Sequence, residues 1–297
     1  MGVSTRDAFV PRARDLYRFV REERVFCGML AHLLMQRGSN LAAFLELINA
    51  RLPEHSRLAT MALDEAQVYV EFTLLRDHWN ALGRDNDRKR ELILTLLSRI
   101  DRLKGYHCEE LRATAPELNE YFMGRRGRNI KDDISYPGQW SVRVLKERFG
   151  ADPDLFRAFC LFKWAFNIKP DLVVLPPVGR PICVECKLES REGQYPADPE
   201  ECGDFDKVCG RGKGRASQIE VQRFMFRDLL GDPCQLVTIG WKRRHEGEDV
   251  VSLSWGDVFA RLDLSCSVGF VRKLIEKNEH LKARAANTDR SPSAMRR

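Results

Sequence analysis

KPDLVVL (169–175) and ICVECKLE (182–189) are two short apolar runs separated by the turn residues PPVGRP (176–181). Runs of this length between Pro and Gly signals are typical of buried strands. A connection this short favours two antiparallel neighbours, because parallel strands need a longer crossover. The sequence therefore predicts a pair of adjacent strands in the interior of an α/β protein.

The second run carries charged side chains on one of its faces. Side chains alternate along a strand, so Glu185, Lys187 and Glu189 share one face. The other face is apolar and suits a core; its residues are Val184, Cys186 and Leu188. Acids near buried surface are costly unless they pair or bind a cation. Asp171 opens the first run, so its carboxylate is expected to meet that of Glu185 across the pair.

These two acids and the lysine indicate a particular chemistry. Two carboxylates with a strand carbonyl form a set of hard oxygen ligands suited to Mg²⁺ or Mn²⁺. Such a metal activates water and stabilises negative charge on a phosphate. Lys187 can orient that water or stabilise the developing charge. The pattern predicts a metal-dependent site built from Asp171, Glu185 and Lys187.

Pro170-Asp171, followed after thirteen residues by Glu185-Cys186-Lys187, resembles the motif of the PD-(D/E)XK nuclease superfamily. The resemblance covers roughly residues 139–245. It implies a restriction-endonuclease-like α/β core of αβββαβ order, in which helices flank a central mixed sheet. It also implies Mg²⁺-dependent hydrolysis of phosphodiesters, with DNA favoured over RNA. Asp171, Glu185 and the Cys186 carbonyl would be metal ligands, and Lys187 the catalytic lysine.

Two glutamines are candidate catalytic accessories. Gln218 and Gln222 lie at i and i+4 on a predicted helix over 216–230, so they share one face. RecB-like members of the superfamily line the site with a Gln-x-x-x-Tyr helix, and Gln222 departs from that pattern, which leaves the subfamily open. Both amides can bond a phosphate or a metal-bound water. The alternative is a pair of exposed helix glutamines.

The superfamily often adds a glutamate from the first core helix, and two residues are candidates. Glu23 lies on an amphipathic helix of the N-terminal half, just before its apolar residues Val25 and Phe26, and Glu147 lies on a predicted helix nearer the strands. If Glu23 contributes, the N-terminal half packs onto the core rather than forming a separate domain. The choice between Glu23 and Glu147 stays open, and for each an ordinary surface acid is the alternative.

The hydrophobic pattern divides the chain into four parts: an α-helical region (1–122), a basic linker (123–138), the nuclease-like core (139–282) and a basic disordered tail (283–297). Predicted helices in the first part cover 7–36, 41–52, 63–82, 88–103 and 116–122. In the core they cover 139–149, 154–166, 216–230, 255–262 and 268–282. Further strands are predicted at 235–241 and 250–253, and 190–215 is predicted to be a long loop. The run 159–166 is alternatively a first strand.

Charge and composition bound the function classes. The net charge of +6 is concentrated in the tail and in GRRGRNIK (124–131), GRGKGR (210–215) and WKRRH (241–245). Such patches suit a phosphate backbone, although solvated surface is the alternative for each. No apolar run approaches the ~20 residues of a membrane helix, and the N-terminus has no signal-like segment. Nine scattered cysteines indicate a reducing cytoplasm.

Other readings of the chain are also open. Cys183 and Cys186 form a C-x-x-C, but residues three apart on a strand point to opposite faces, which disfavours a zinc or iron–sulfur site. A nuclease fold that binds nucleic acid or protein without cleavage, for example in a defence or DNA-processing complex, is the main alternative function. The long N-terminal helices also suit a homodimer or a protein partner.

Overall fold

The computed structural model describes residues 22–36, 38–60, 63–104, 106, 113–124, 132–188, 193–211, 214–241, 249–265, 267–278 and 281. Residues 125–131, 212–213 and 242–245 of the three basic patches, and the predicted tail, lie outside these residues. The described strands, in chain order, are β1 (Gln67–Val70), β2 (Leu172–Leu175), β3 (Ile182–Cys186), β4 (Gln194–Tyr195), β5 (Ala216–Ser217), β6 (Gln235–Gly240) and β7 (Val250–Ser254).

Eleven α-helices accompany these strands in the described part of the chain: α1 (Glu23–Gln36), α2 (Gly38–Asn49), α3 (Leu74–Ala81), α4 (Asn86–Arg99), α5 (Ala115–Met123), α6 (Val142–Phe149), α7 (Pro153–Asn167), α8 (Pro199–Cys209), α9 (Gln218–Phe224), α10 (Trp255–Arg261) and α11 (Gly269–Lys277). The fold class is thus mixed α/β, as predicted. The chain divides into two compact units, one of 1–70, 171–191 and 235–297, and another of 71–170 and 192–234.

The first unit contains a five-stranded mixed sheet of order β1-β2-β3-β6-β7. Strand β2 runs antiparallel to both of its neighbours, β1 and β3, and β6 and β7 continue the sheet parallel to β3. The predicted antiparallel pairing of the two apolar runs is confirmed, with Leu172 opposite Val184. Long crossovers precede β2 and β6, and the second unit is built from these two inserted segments.

One face of this sheet packs on helices of the same unit. Side chains from α1, α2, α10 and α11 form a single hydrophobic core with alternate residues of the strands. The predicted apolar face of β3 is confirmed, because Val184, Cys186 and Leu188 all belong to this core. The alternation along β3 therefore turns Glu185 away from it.

The edge strand β1 corrects the prediction of one helix over 63–82. The structure has a strand at Gln67–Val70, a residue with positive φ at Glu71, and a helix that begins only at Leu74. Val68, Tyr69 and Val70 are β-branched or aromatic, which suits a pleated strand. The strand pairs along its length with β2, from Gln67 opposite Leu175. Pairing with a distant segment outweighs the local helical period.

The second unit contains helices α3 to α9 and the short β4–β5 pair. The helix predicted at 154–166 is confirmed as α7, whose N-cap Asp152 accepts hydrogen bonds from two backbone amides. The alternative strand at 159–166 is wrong. The predicted loop at 190–215 is also wrong in part, because it contains α8, capped by Asp198 with Pro199 in the first turn.

The helix predicted at 216–230 is present with two changes. Its first residues form β5, and beyond α9 it continues as a π-helix over Met225–Leu230, which ends at Gly231 with φ of 70°. A left-handed residue after a helix is a usual place for glycine.

No helix within the described ranges combines the length and the apolar character needed to cross a bilayer.

Candidate active site

Asp171 lies immediately before β2 and reaches the neighbouring strand. Its Oδ2 accepts a hydrogen bond of 2.8 Å from the backbone N–H of Cys186. On the other side of β3, the N–H of Lys187 donates to the carbonyl of Ile239 on β6 at 2.7 Å. Successive residues of a strand direct their backbone groups to opposite sides. The Cys186 carbonyl therefore points to the same side as its N–H, toward Asp171.

Glu185 and Lys187 form the charged centre of the site. The Lys187 Nζ lies 2.5 Å from Glu185 Oε1, and the Glu185 side chain is only 1% exposed. Both residues extend from the same face of the chain, as the alternation predicts. The ammonium thus compensates a carboxylate that would be costly to bury alone.

Glu23, the first residue of α1, also reaches Lys187. Its Oε1 lies 3.6 Å from Lys187 Nζ, and its Oε2 accepts a hydrogen bond of 3.2 Å from the N–H of Leu188. Glu147, the other candidate for the fourth acid, belongs to the second unit, where it pairs with Arg143 at 3.0 Å on an exposed face of α6. Of the two candidates for the fourth acid, Glu23 is the one that lies beside Lys187 in the first unit.

Burial and charge shift the pKa values at this centre. Burial raises the pKa of Asp171 above its usual range, although the Cys186 N–H and the Lys187 ammonium oppose the shift. For Lys187 burial disfavours the ammonium, but Glu185, Glu23 and Asp171 outweigh it and raise the pKa of the lysine. Lys187 is therefore protonated at neutral pH and can serve as a cation and hydrogen-bond donor.

The side chains present fit a hard divalent cation. Asp171 and Glu185 offer carboxylate oxygens, and the Cys186 carbonyl faces the same side as Asp171. Oxygen ligands of this kind are preferred by Mg²⁺ and Mn²⁺. Three acids surround a single lysine at this centre, so a bound cation would reduce the repulsion among the carboxylates.

The structure brings a second set of potential ligands to Asp171. The thiols of Cys27 and Cys186 and a carboxylate oxygen of Asp171 all lie within 4.8 Å of one another. Sequence reasoning considered Cys186 with Cys183 and missed Cys27, which comes from α1. The available signal was helical spacing, because Cys27 follows Glu23 by four residues and so lies on the same helix face.

Trp255 is another contributor that the sequence did not indicate. Its indole Nε1 donates a hydrogen bond of 3.3 Å to the Lys187 carbonyl. The ring is fully buried at the start of α10, stacks on Phe259 and contacts Phe26 of α1. Trp255 thus ties the end of β3 to the helical layer that carries Glu23.

Gln218 and Gln222 belong to the second unit. Gln218 begins α9 and its N–H donates to the Gly193 carbonyl at 2.9 Å, whereas Gln222 is fully buried. The alternative of two exposed helix glutamines is therefore wrong for Gln222. A catalytic role for either glutamine stays a prediction.

Comparison with protein-family profiles, with curated proteins and with solved structures finds no match to this chain in any of the three.

Proposed function

We propose that this chain is a divalent-metal-dependent nuclease that hydrolyses phosphodiester bonds, with DNA as the favoured substrate. The observation that carries the proposal is the meeting of Asp171, Glu185, Lys187 and Glu23 at the ends of two adjacent strands and a helix. Three carboxylates and one protonated lysine suit phosphate chemistry. Such a reaction needs groups that balance the negative charge of the phosphate and groups that activate the attacking water.

The strand topology supports membership of the PD-(D/E)XK superfamily. A helix precedes three antiparallel strands, and the parallel strand β6 follows the helix α9 in sequence. When the intervening elements are left out, α1, β1 to β3, α9 and β6 follow one another along the chain in an order like the αβββαβ order that the motif implies, which supports the proposal. The motif residues lie at the end of β3 and at the start of β2, where that fold would need them.

Asp171, Glu185 and the Cys186 carbonyl would hold the metal, which when bound supplies a nucleophilic water and charge stabilisation. Lys187 presents its ammonium to the phosphate oxygens and stabilises the charge that develops during attack. Glu23 holds that ammonium and the Leu188 N–H, which fixes the direction of the lysine. Trp255 fixes the Lys187 backbone through its carbonyl.

Cleavage assays on the full-length chain test the proposal. Labelled double-stranded DNA, single-stranded DNA and RNA are incubated with Mg²⁺, with Mn²⁺ and with EDTA. We expect metal-dependent cleavage, preferentially of DNA, that falls by at least about 100-fold in Asp171→Ala, Glu185→Ala and Lys187→Ala. Glu147→Ala is the matched control, because that exposed acid pairs with Arg143 on the surface of α6.

Cleavage that survives Asp171→Ala or Lys187→Ala would contradict the nuclease assignment, as would cleavage that persists in EDTA. Binding of nucleic acid without cleavage in every metal would instead support the alternative, a catalytically silent module of the same fold. Preferential cleavage of RNA would retain the chemistry and change the substrate.

A further inference from the structure

We propose that Cys27, Cys186 and Asp171 form a second metal site, which takes a thiophilic dication such as Zn²⁺ and withdraws Asp171 from the magnesium site. Binding at these three residues is independent of the nuclease activity. The inhibitory consequence rests on the proposed function.

The three ligand atoms converge from separate elements of the first unit. Cys27 comes from α1, Cys186 from β3 and Asp171 from the residue before β2, and their ligand atoms lie within 4.8 Å of one another. Tetrahedral zinc bonds of about 2.0–2.3 Å place ligand atoms roughly 3.3–3.8 Å apart, so side-chain movements of about 1–1.5 Å suffice. Sulfur ligands select zinc and related cations over magnesium.

The two sites differ in every ligand atom except those of Asp171. The Cys186 thiol belongs to the hydrophobic core, on the face of β3 opposite Glu185, whereas its carbonyl points within the sheet toward Asp171. A cation held by the thiols would compete for the Asp171 carboxylate. Because magnesium depends on oxygen ligands, its affinity falls when Asp171 is engaged.

Charge balance also permits a cation at the thiols. Two thiolates and one carboxylate around a dication leave a net charge of −1. The Lys187 ammonium, which already interacts with Asp171, offsets that charge. Buried charges are tolerated when they are paired in this way.

Cobalt titration of the full-length chain without nucleic acid tests the site directly. Thiolate coordination of Co²⁺ gives a sulfur-to-cobalt charge-transfer band in the near ultraviolet. We expect a band corresponding to one Co²⁺ per chain that Cys27→Ala and Cys186→Ala abolish and Asp171→Asn weakens. Cys183→Ala is the matched control, since it removes a buried thiol from the same strand without touching the cluster, and it should retain the band.

Circular dichroism of each variant verifies that loss of the band is not loss of the fold. Asp171→Asn keeps both thiols in the core, so it tests the ligand set even if a cysteine variant unfolds. The proposal would be overturned by a band that persists in both cysteine variants. It would also be overturned if Glu185→Gln, which changes a proposed magnesium ligand, abolished the band as the cysteine variants do.

The regulatory part is tested by zinc inhibition of Mg²⁺-dependent cleavage. We expect Cys27→Ala to cleave as the wild type does and to need at least about tenfold more Zn²⁺ for half-inhibition. Equal inhibition of both proteins would mean that zinc acts at the magnesium site and would overturn the regulatory role. A chain that gives the cobalt band but never cleaves would disprove the proposed function and leave the thiol site standing.

Discussion

Lys187 and Glu185 stabilise each other, because neither side chain is well exposed to solvent. We expect Lys187→Met to lower the free energy of unfolding by about 3–5 kcal/mol, since it leaves the Glu185 carboxylate buried without its nearest cation. The double variant Glu185→Gln/Lys187→Met should recover most of this loss. Urea unfolding of the two single variants and the double variant measures the coupling, and strictly additive losses would argue against a paired site.

The raised pKa of Asp171 has a consequence for stability. The folded protein holds the proton more tightly than the unfolded chain does. The stability that protonated Asp171 contributes is therefore fully present below the pKa of the unfolded chain, near pH 4. It is lost as pH rises through the pKa of the folded protein. Asp171→Asn stays neutral and escapes that loss. We expect it to be more stable than the metal-free wild type at pH 7 and equally stable near pH 3.

Thermal unfolding across this pH range, in the presence of EDTA, provides the measurement. Adding Mg²⁺ should then raise the unfolding temperature of the wild type more than that of Asp171→Asn, because the variant has lost a ligand. A wild type that is more stable than the variant at neutral pH without metal would contradict the burial argument.

At the scale of single residues, local pattern was a good guide where the neighbours are close in sequence. Alternation along β3 and a short turn were enough to bring Asp171 next to β3 and to group Glu185 with Lys187. Glu23 was one of two candidates because nothing local links residue 23 to residue 187. The Cys27 thiol was missed for the same reason: its partners lie on strands about 150 residues away.

Helix α1 is the element on which the proposed active site and the thiol site both depend, since it carries Glu23, which holds Lys187, and Cys27. Phe26 lies between them, is fully buried, and contacts Trp241, Trp255 and Phe259. We expect Phe26→Ala to lower the free energy of unfolding by about 3–5 kcal/mol through the cavity it leaves. Met35→Ala, on an exposed position of the same helix, should change it by less than about 0.5 kcal/mol.

Urea unfolding compares the two variants, and cobalt binding should weaken in Phe26→Ala alone if α1 positions Cys27. Equal stability of the two variants would show that α1 contributes little to the core.

Among the elements, the sequence predicted those that have a clear hydrophobic period of their own. It missed a strand that depends on pairing with a distant strand and a helix whose signal is its N-terminal cap. The apolar stripe of α1 and the runs of β2, β3 and β6 were sufficient. Strand β1 was missed because its pairing with β2 is visible only in three dimensions. Helix α8 had a local signal that was overlooked, since Asp198, Pro199 and two following acids form a typical helix start.

The first unit draws on three separate stretches of the chain, so no continuous fragment of the predicted core contains all of it. We expect residues 139–282, expressed alone, to lack a cooperative unfolding transition and to expose apolar surface to a hydrophobic dye. The fragment omits α1, α2 and β1, which cover one face and one edge of the sheet. A single sharp transition for this fragment, comparable with that of the full chain, would contradict the expectation.

The two units are interleaved along the chain. For this reason the boundaries of the sequence-based division, at residues 122 and 139, do not coincide with the boundaries of the units. Composition changes along a chain reveal linkers between consecutive domains. The second unit is instead inserted in two pieces between strands of the first, at 71–170 and 192–234. Such insertions leave no linker signature, because each junction lies within a few residues of a strand or a helix.

The order of the strands along the chain also constrains how this protein is made. The edge strand β1 leaves the ribosome about a hundred residues before its partner β2, and α1 waits still longer for Trp255. At roughly 5–20 residues per second, the part of α1 that contacts Trp241, Trp255 and Phe259 stays uncovered for on the order of 10 seconds or more during synthesis. The nascent chain therefore passes through a long interval in which chaperones can bind it, and the core of the first unit closes only after Trp255 has been made.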